Sequence, residues 1–276
     1  MKKDKSVMAT NSTLGLTKHQ ADFMRLIKLN SHSHRLHEVF SDFCEIAAIS
    51  ISNSVDKSQF ETREARYMQI IKTYTKEEIN RFPEMYACVI NSLEECFSDC
   101  LGELFMSLDL GSHWHGQYFT PYPICKMMSK LTGGNEKDII EKQGFITVCE
   151  PACGAGAMVI AKAEDLKEQG INYQQVMHST LIDIDVLAVH MAYIQLSLLY
   201  VPAVIFHGNA LSNETWGHWV TPAHVLGMWD FKLHREEKAA QKHDVPMIEM
   251  PIEVRAQTQL QAVVTKRKNN DQLSLF

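Results

Sequence analysis

The chain of 276 residues has no long apolar run, no C-x-x-C motif and no excess of positive charge. Its most apolar stretch, residues 186–201, is interrupted by His190 and Gln195, whereas a membrane-spanning helix needs roughly 18 or more consecutive apolar residues. The polar N-terminal residues lack the apolar core of a secretory signal. These absences argue against a membrane partner and against secretion, and we expect a cytoplasmic protein.

The seven cysteines do not indicate a disulfide scaffold, because a chain of this size buries a sufficient core without covalent crosslinks. Cys96 and Cys100 lie one helical turn apart, a spacing that suits a metal but favours two thiols on one buried helix face. His32, His34 and His37 are metal-like by number, but their Ser and Arg neighbours favour a polar helix start. We therefore expect no metal site.

Acidic residues outnumber basic ones in this sequence. The 27 Lys and Arg residues stand against 33 Asp and Glu residues, which gives a formal charge of −6. This balance argues against a protein that grips nucleic acid by bulk positive charge. The only dense basic cluster, residues 266–268, lies near the C-terminus, and three basic residues on a tail are usually solvated.

Hydrophobic periodicity divides the chain into four parts. After a polar lead-in over residues 1–16, apolar residues recur at helical spacing over residues 17–110, which predicts a helical domain. Residues 111–235 carry strand-like and helical runs in alternation and are expected to form a cofactor-binding domain. Residues 236–276 are charged and Gln-rich, so we expect a loosely ordered tail.

The alternation in the third part indicates an α/β fold. Strands are predicted over residues 145–150, 179–183 and 203–206, with helices over residues 157–169 and 186–199. The order strand, helix, strand, helix, strand is typical of an open parallel sheet. We therefore predict a Rossmann-like core, preceded by the helical domain.

Three features follow the three predicted strands, at the sheet edge where such folds bind a nucleoside ligand. Gly154 and Gly156 join the first strand to a helix whose N-terminus offers unpaired N–H groups. Asp183 ends the second strand, where a carboxylate can hold both ribose hydroxyls. Asn209 follows the third strand, where an amide would meet an adenine edge. Tight turns often contain Gly-x-Gly, but the three features in this order predict an adenosyl ligand.

Four motifs in order resemble the N6-adenine DNA methyltransferases, above all the modification subunits of type I restriction systems and their phage and plasmid relatives. The motifs are Gly116-Gln-Tyr-Phe-Thr-Pro121, Glu150-Pro-Ala-Cys-Gly-Ala-Gly156, Asp183-Ile-Asp185 and Gly208-Asn-Ala-Leu211. The resemblance covers about residues 111–212. It implies S-adenosylmethionine as cofactor, DNA as partner, methyl transfer to adenine N6, and a bacterial cytoplasmic protein associated with the nucleoid when bound to DNA.

The resemblance also assigns cofactor contacts to individual residues. Asp183 takes the ribose, and Asn209 replaces an Asp that usually holds the adenine amine. Glu150 also replaces an Asp, with the carboxylate kept. The residues that cover the methionine end are Tyr118, Phe119, Thr120 and Pro121, and those of the loop that wraps the cofactor are Glu150, Pro151, Ala152, Cys153, Gly154 and Gly156.

One departure from the family concerns catalysis. The sequence lacks the Asn/Asp-Pro-Pro-Tyr/Phe tetrapeptide, in which an amide holds the target amine and an aromatic ring stacks on the flipped base. No catalytic residue is therefore assigned. Trp216, Trp219 and His224 are able to stack a base, but they suit the packing of a closing lid equally well.

Chain length also indicates an incomplete core. Residues 145–231 are too few for a six- or seven-stranded sheet, which needs on the order of 150 residues at roughly 30 per βαβ unit. The sequence thus predicts the cofactor half of a methyltransferase, completed by a second subunit. The alternatives are an inactive relative that binds cofactor or DNA as an antirestriction or regulatory factor, and another nucleotide-binding enzyme with a plain glycine turn.

The last five residues, Gln272, Leu273, Ser274, Leu275 and Phe276, resemble the peptide by which bacterial proteins dock on the DNA polymerase sliding clamp. The two C-terminal apolar residues would enter a pocket while the Gln amide sets the register. The alternative is an ordinary chain end packed on the core. Tethering to a clamp raises the effective concentration at DNA without bulk positive charge, so the acidic composition does not exclude DNA as a partner.

Overall fold

Five helices form the N-terminal part of the fold, as the hydrophobic periodicity predicts. The computed structural model describes residues 16–108 and 118–241, and of residues 236–241 only the backbone. A capping box starts the first helix, because the Thr17 hydroxyl accepts from the Gln20 N–H while the Gln20 side chain accepts from the Thr17 N–H. The helices are α1 (Lys18–Asn30), α2 (Leu36–Val55), α3 (Phe60–Ile71), α4 (Lys76–Glu95) and α5 (Cys100–Ser107).

The helical structure is interrupted between α4 and α5. This interruption corrects the prediction that Cys96 and Cys100 lie on one buried helix face. Cys96 follows α4 and is exposed, whereas Cys100 begins α5 and is buried. The two thiols therefore do not share one buried helix face. The physical reason is a new helix start at Asp99, whose carboxylate accepts from the Gly102 N–H at 3.0 Å.

The second part of the chain forms the predicted α/β unit. Its three parallel strands are separated by helices, and the helical N-terminal region with an α/β core is confirmed. The elements in order are α6 (Tyr122–Thr132), α7 (Glu136–Gln143), β1 (Ile146–Glu150), α8 (Ala157–Glu168), α9 (Tyr173–Val176), β2 (Met177–Asp183), α10 (Val186–Leu198), β3 (Ala203–Asn209), β4 (Glu214–Val220), α11 (Pro222–Leu226) and α12 (Trp229–Gln241).

The strands of the described residues form one sheet in the order β1-β2-β3-β4. β1 pairs with β2 and β2 with β3 in parallel, so that Glu150 lies beside Leu181, and Asp183 beside His207. β1 occupies one edge of this sheet. The three parallel strands therefore all end on the same side of the sheet, which we call its carboxyl edge.

β4 was not predicted, because its sequence lacks a regular alternation of apolar and polar residues. It pairs antiparallel with β3 after a short turn in which Asn213 has a left-handed φ of +59°. Of its seven residues, only Trp219 is buried. Trp216 and Trp219, for which the sequence allows either base stacking or the packing of a lid, thus lie in the sheet.

Helix α10 links the two parts of the fold. All residues from Leu187 to Ser197 are buried, so this helix has no face toward water. It packs against α2 of the helical part and against the sheet. One hydrophobic core runs through both parts, from Phe23 in α1 to Trp219 in β4.

α11 and α12 follow the sheet in the chain and pack against each other. Trp229, the first residue of α12, is fully buried, and its ring lies 5.2 Å from that of Phe145 and 5.4 Å from that of His178. α12 continues to Gln241, across the boundary predicted at residue 235. Within the two described ranges, no helix is long and apolar enough to span a membrane.

Two buried histidines make the stability of this fold depend on pH. Burial lowers the pKa of His190 to about 4 and that of His178 to about 3, whereas an unfolded imidazole titrates at roughly 6.5. The unfolded chain therefore binds more protons as the pH falls below neutrality, and the free energy of unfolding decreases. Each histidine contributes about 2 kcal/mol to this loss between about pH 7.5 and pH 5.

We predict that His190→Leu removes about 2 kcal/mol of this pH dependence. Urea denaturation of the native chain and the variant at the two pH values measures the difference. His32→Leu, at an exposed position, is the control and should retain the native dependence. The native protein alone does not isolate the effect of His190, because burial raises the pKa of Asp99 to about 6. Protonation of Asp99 in the folded state raises the free energy of unfolding as the pH falls, which opposes the effect of the histidines. Equal slopes in native protein and His190→Leu would contradict the prediction.

Candidate cofactor site

The loop between β1 and α8 follows the first strand and contains two glycines in left-handed backbone. Gly154 has a φ of +52° and Gly156 a φ of +90°. The Gly156 N–H donates to the carbonyl of Cys153 at 2.8 Å, which makes the loop a tight turn. Gly156 is also the N-cap of α8 and has no side chain to cap it. The first turn of α8 therefore offers backbone N–H groups at the carboxyl edge of the sheet.

Asp183 fastens this loop to the second strand. Its Oδ2 accepts from the Gly154 N–H at 2.8 Å, and its Oδ1 accepts from the Asp185 N–H at 2.9 Å. Burial raises the pKa of Asp183, and these backbone hydrogen bonds oppose the shift. An ionised carboxylate has about four acceptor positions, so Asp183 is able to accept ribose hydroxyls beside its backbone donors.

Phe119 brings the first motif onto the same loop. A Cβ at Gly154 would lie only 2.8 Å from the Phe119 ring, so these two residues are in direct contact and glycine is required. The Phe119 ring also packs against Phe105 of α5, at 5.2 Å between centroids. Tyr118 beside it is 73% exposed, and Thr120 and Pro121 are exposed at the start of α6. Gly116 and Gln117 of this motif lie outside the described residues.

Asn209 ends the third strand and shapes the turn into β4. Its Oδ1 accepts from the Leu211 N–H at 2.9 Å and from the Ser212 N–H at 3.3 Å. This Asx turn engages the oxygen that an adenine amine would otherwise donate to. The side chain therefore presents its Nδ2 donor, which suits a ring nitrogen of adenine better than the amine.

Two apolar residues flank these polar groups, and the sequence reasoning included both in its motifs without giving either a cofactor contact. Ile184 follows Asp183 and is 60% exposed, and Leu211 follows the Asn209 turn and is 97% exposed. Exposed aliphatic side chains beside a carboxylate and an amide provide the apolar walls that a planar base needs. The signal that could have identified them is an apolar residue directly after the polar end of a strand.

The remaining residues of the loop differ in their burial. Cys153 is buried, and burial near the charges of Asp183 and Glu150 raises its pKa well above the usual value, so that the thiol stays protonated. Glu150 and Pro151 are half-buried, and Ala152 is exposed. None of these side chains is placed as a nucleophile.

The structure separates the three candidates for base stacking. Trp219 is 9% exposed and lies under the Arg63 guanidinium, 3.9 Å from the ring centroid. His224 is buried, 2.9 Å from His178 between ring nitrogens. Both are packing residues. Trp216 is 53% exposed and contacts His207 edge-on, at 4.9 Å between centroids.

The histidines near α2 do not form a metal centre. His32 and His34 lie in the turn before this helix, and His37 lies in its first turn. Over residues 16–108 and 118–241, no three metal-binding side chains come together in a suitable group.

A mainly parallel sheet whose strand ends carry a glycine loop, a carboxylate and an amide defines an α/β protein with a Rossmann-like core. The chain belongs to the N-6 DNA methylase family, whose model matches residues 104–252, more than half of the chain.

Two further comparisons describe how far the similarity extends. A solved structure of a class I S-adenosylmethionine-dependent methyltransferase from Listeria monocytogenes has 12% sequence identity and a TM-score of 0.37. The similarity covers 74% of this chain and 66% of the Listeria chain, which is just under two thirds. None of the curated proteins matches this chain.

The contact between Gly154 and Phe119 predicts a specific cost for one substitution. Gly154→Ala should lower the free energy of unfolding by about 1 kcal/mol for the left-handed backbone and by a further 1–3 kcal/mol, roughly, for displacing the ring. Gly170→Ala is the matched control, because Gly170 has a φ of +76° and nothing within 4 Å of the added Cβ. Chemical denaturation of both variants measures the difference, and equal losses would show that Phe119 does not press on the loop.

Proposed function

We propose that this chain binds S-adenosylmethionine at the carboxyl edge of its sheet and acts on DNA as an adenine-N6 methyltransferase. The observation that carries the proposal is the Asp183 carboxylate held against Gly154, in a chain of the N-6 DNA methylase family. A carboxylate at the end of the second strand and a glycine turn at the end of the first are the groups that an adenosyl ligand requires.

The residues at the edge suit the parts of this cofactor. Asp183 would hold the ribose hydroxyls, while Ile184 and Leu211 would enclose the adenine and Asn209 would donate to a ring nitrogen. The N–H groups at the start of α8 suit the methionine carboxylate. Tyr118 exposes an aromatic face that suits a positively charged sulfur. Bound there, the cofactor supplies an electrophilic methyl group for transfer.

We further propose that a second subunit completes the catalytic part. The target amine needs an acceptor and a stacking ring, and the sequence lacks the tetrapeptide that provides them in the family. β1 also lies at an edge of the sheet among the described strands. DNA and a second subunit that brings this loop are therefore the partners we propose.

The missing tetrapeptide also favours a second candidate function. A chain that keeps the cofactor groups but lacks the catalytic loop is suited to act as an antirestriction or regulatory factor, which occupies cofactor or DNA without transferring methyl. The two functions differ only in the transfer step, so one pair of measurements separates them.

The first measurement is calorimetric titration with S-adenosylmethionine. We expect saturable binding by the native chain and a loss of at least about tenfold in affinity for Asp183→Ala. Asp138→Ala, which removes an exposed carboxylate on α7, is the control and should bind as the native chain does. Absence of heat with the native protein, or equal heat with Asp183→Ala, would remove the cofactor proposal.

The second measurement is transfer of a labelled methyl group to adenine-containing duplex and single-stranded DNA. A methyltransferase incorporates label into DNA, and Asp183→Ala reduces the incorporation in proportion to its lost affinity. Binding of cofactor with no incorporation, with and without cell extract as a source of the second subunit, would support the regulatory function instead.

We also propose that residues 272–276, which lie outside the described residues, dock on the DNA polymerase sliding clamp. On this proposal the protein works near the nucleoid of a bacterial cytoplasm. Deletion of residues 272–276 should abolish binding to purified clamp in a pull-down and leave S-adenosylmethionine binding unchanged. Asn270→Ala, just upstream of the five residues, is the control and should bind. Retained binding after the deletion would rule out the tail as the docking segment.

A further inference from the structure

Helix α10 carries one amide among its buried and mainly apolar side chains. Gln195 is fully buried, yet it sits among residues such as Ile194 and Leu196 that contribute only apolar side chains. Burial of an amide costs on the order of 1–3 kcal/mol unless its donors and acceptor are paired. The burial of Gln195 is therefore compatible with a stable fold only if its amide forms hydrogen bonds.

Gln195 connects the helical part of the fold to the glycine loop. Its Nε2 donates to the carbonyl of Ala155 at 2.8 Å and to Oδ1 of Asp99 at 2.9 Å. Its Oε1 accepts from the N–H of Leu101 at 2.9 Å. One side chain thus ties the start of α5 to the residue between the two glycines of the loop.

These bonds hold a peptide group that glycine neighbours would otherwise leave free to rotate. The Ala155 carbonyl is bound by Gln195, and the N–H of the same peptide, at Gly156, donates to Cys153 at 2.8 Å. The peptide between Ala155 and Gly156 is therefore held at both ends. Residues at positive φ on both sides, Gly154 and Gly156, provide no conformational restriction of their own.

Asp99 keeps the amide in this orientation. Its carboxylate is fully buried and also accepts from the Gly102 N–H at 3.0 Å, so that α5 and Gln195 share one acceptor. An ionised acceptor strengthens both hydrogen bonds. Because burial raises the pKa of Asp99 only to about 6, the carboxylate is ionised at neutral pH. Glu103, Tyr122, Cys100 and Cys125 are the other titratable groups that face it.

We propose that Gln195, oriented by Asp99, is a positioning residue of the cofactor site. It fixes the backbone of the Gly154–Gly156 turn so that the loop is already in its binding conformation before cofactor arrives. The identity of the ligand rests on the proposed function, but the restraint on the loop is a property of the chain alone.

The test compares Gln195→Met with Asn30→Leu. Met has nearly the shape of Gln but makes none of the three hydrogen bonds. Asn30 is also a fully buried amide, bonded to Glu78 and Arg81 in the helical part, and it does not touch the loop. Asn30→Leu therefore matches the loss of buried hydrogen bonds. If Gln195→Met does not fold, Gln195→Leu likewise removes all three hydrogen bonds and adds no buried charge.

Amide hydrogen exchange is measured first on the proteins without cofactor. We expect Gly154 and Gly156 to exchange at least about tenfold faster in the Gln195 variant than in Asn30→Leu, at matched global stability. Titration with S-adenosylmethionine should then show about tenfold weaker binding for the Gln195 variant alone. Asp99→Asn, which keeps both Gln195 and an oxygen acceptor for its amide, should retain most of the protection of Gly154 and Gly156.

Two outcomes would count against different proposals. Equal exchange of Gly154 and Gly156 in the Gln195 and Asn30 variants would overturn the positioning role, whether or not cofactor binds. A native chain that binds no S-adenosylmethionine would overturn the proposed function, while faster exchange in the Gln195 variant would still support the restraint on the loop.

Discussion

The burial of α10 on every side is the constraint on which the other elements of this protein depend. A helix without a polar face needs a sheet on one side and other helices on the other. The sheet provides the first surface and α2 provides the second. The helical part therefore buries one side of α10 and the sheet buries the other, so the two parts share one core.

The sequence predicts the central βαβαβ unit and the helical character of the first part, because these elements have strong hydrophobic periods and clear glycine or polar ends. It does not predict β4. Trp216 and His218 project outward from this strand, so its apolar pattern is weak, and its place is set by pairing with β3. The break before α5 is missed for a related reason, since apolar spacing continues past the cap at Asp99.

The candidate site is likewise predictable from the sequence only in part. Strand ends and glycines are visible in the sequence, and the structure brings Gly154, Asp183 and Phe119 together at one edge. The hydrogen bonds of Asn209 and Gln195 depend on how distant segments pack, and no local pattern reveals them. In sequence Gln195 is merely an interruption of an apolar run. In the structure it joins residues about forty and about ninety-five positions away.

The shared core has a consequence for synthesis on the ribosome. The helices up to residue 108 emerge first, but the surface of α2 that α10 covers stays uncovered until residue 198 has been made and has left the exit tunnel. The early helices are then expected to persist as a partly packed intermediate, with apolar surface open to chaperones, for roughly 4–20 seconds at the usual rate of elongation. Once β3 has also been made, α10 has both of its partner surfaces and joins the two parts in one core.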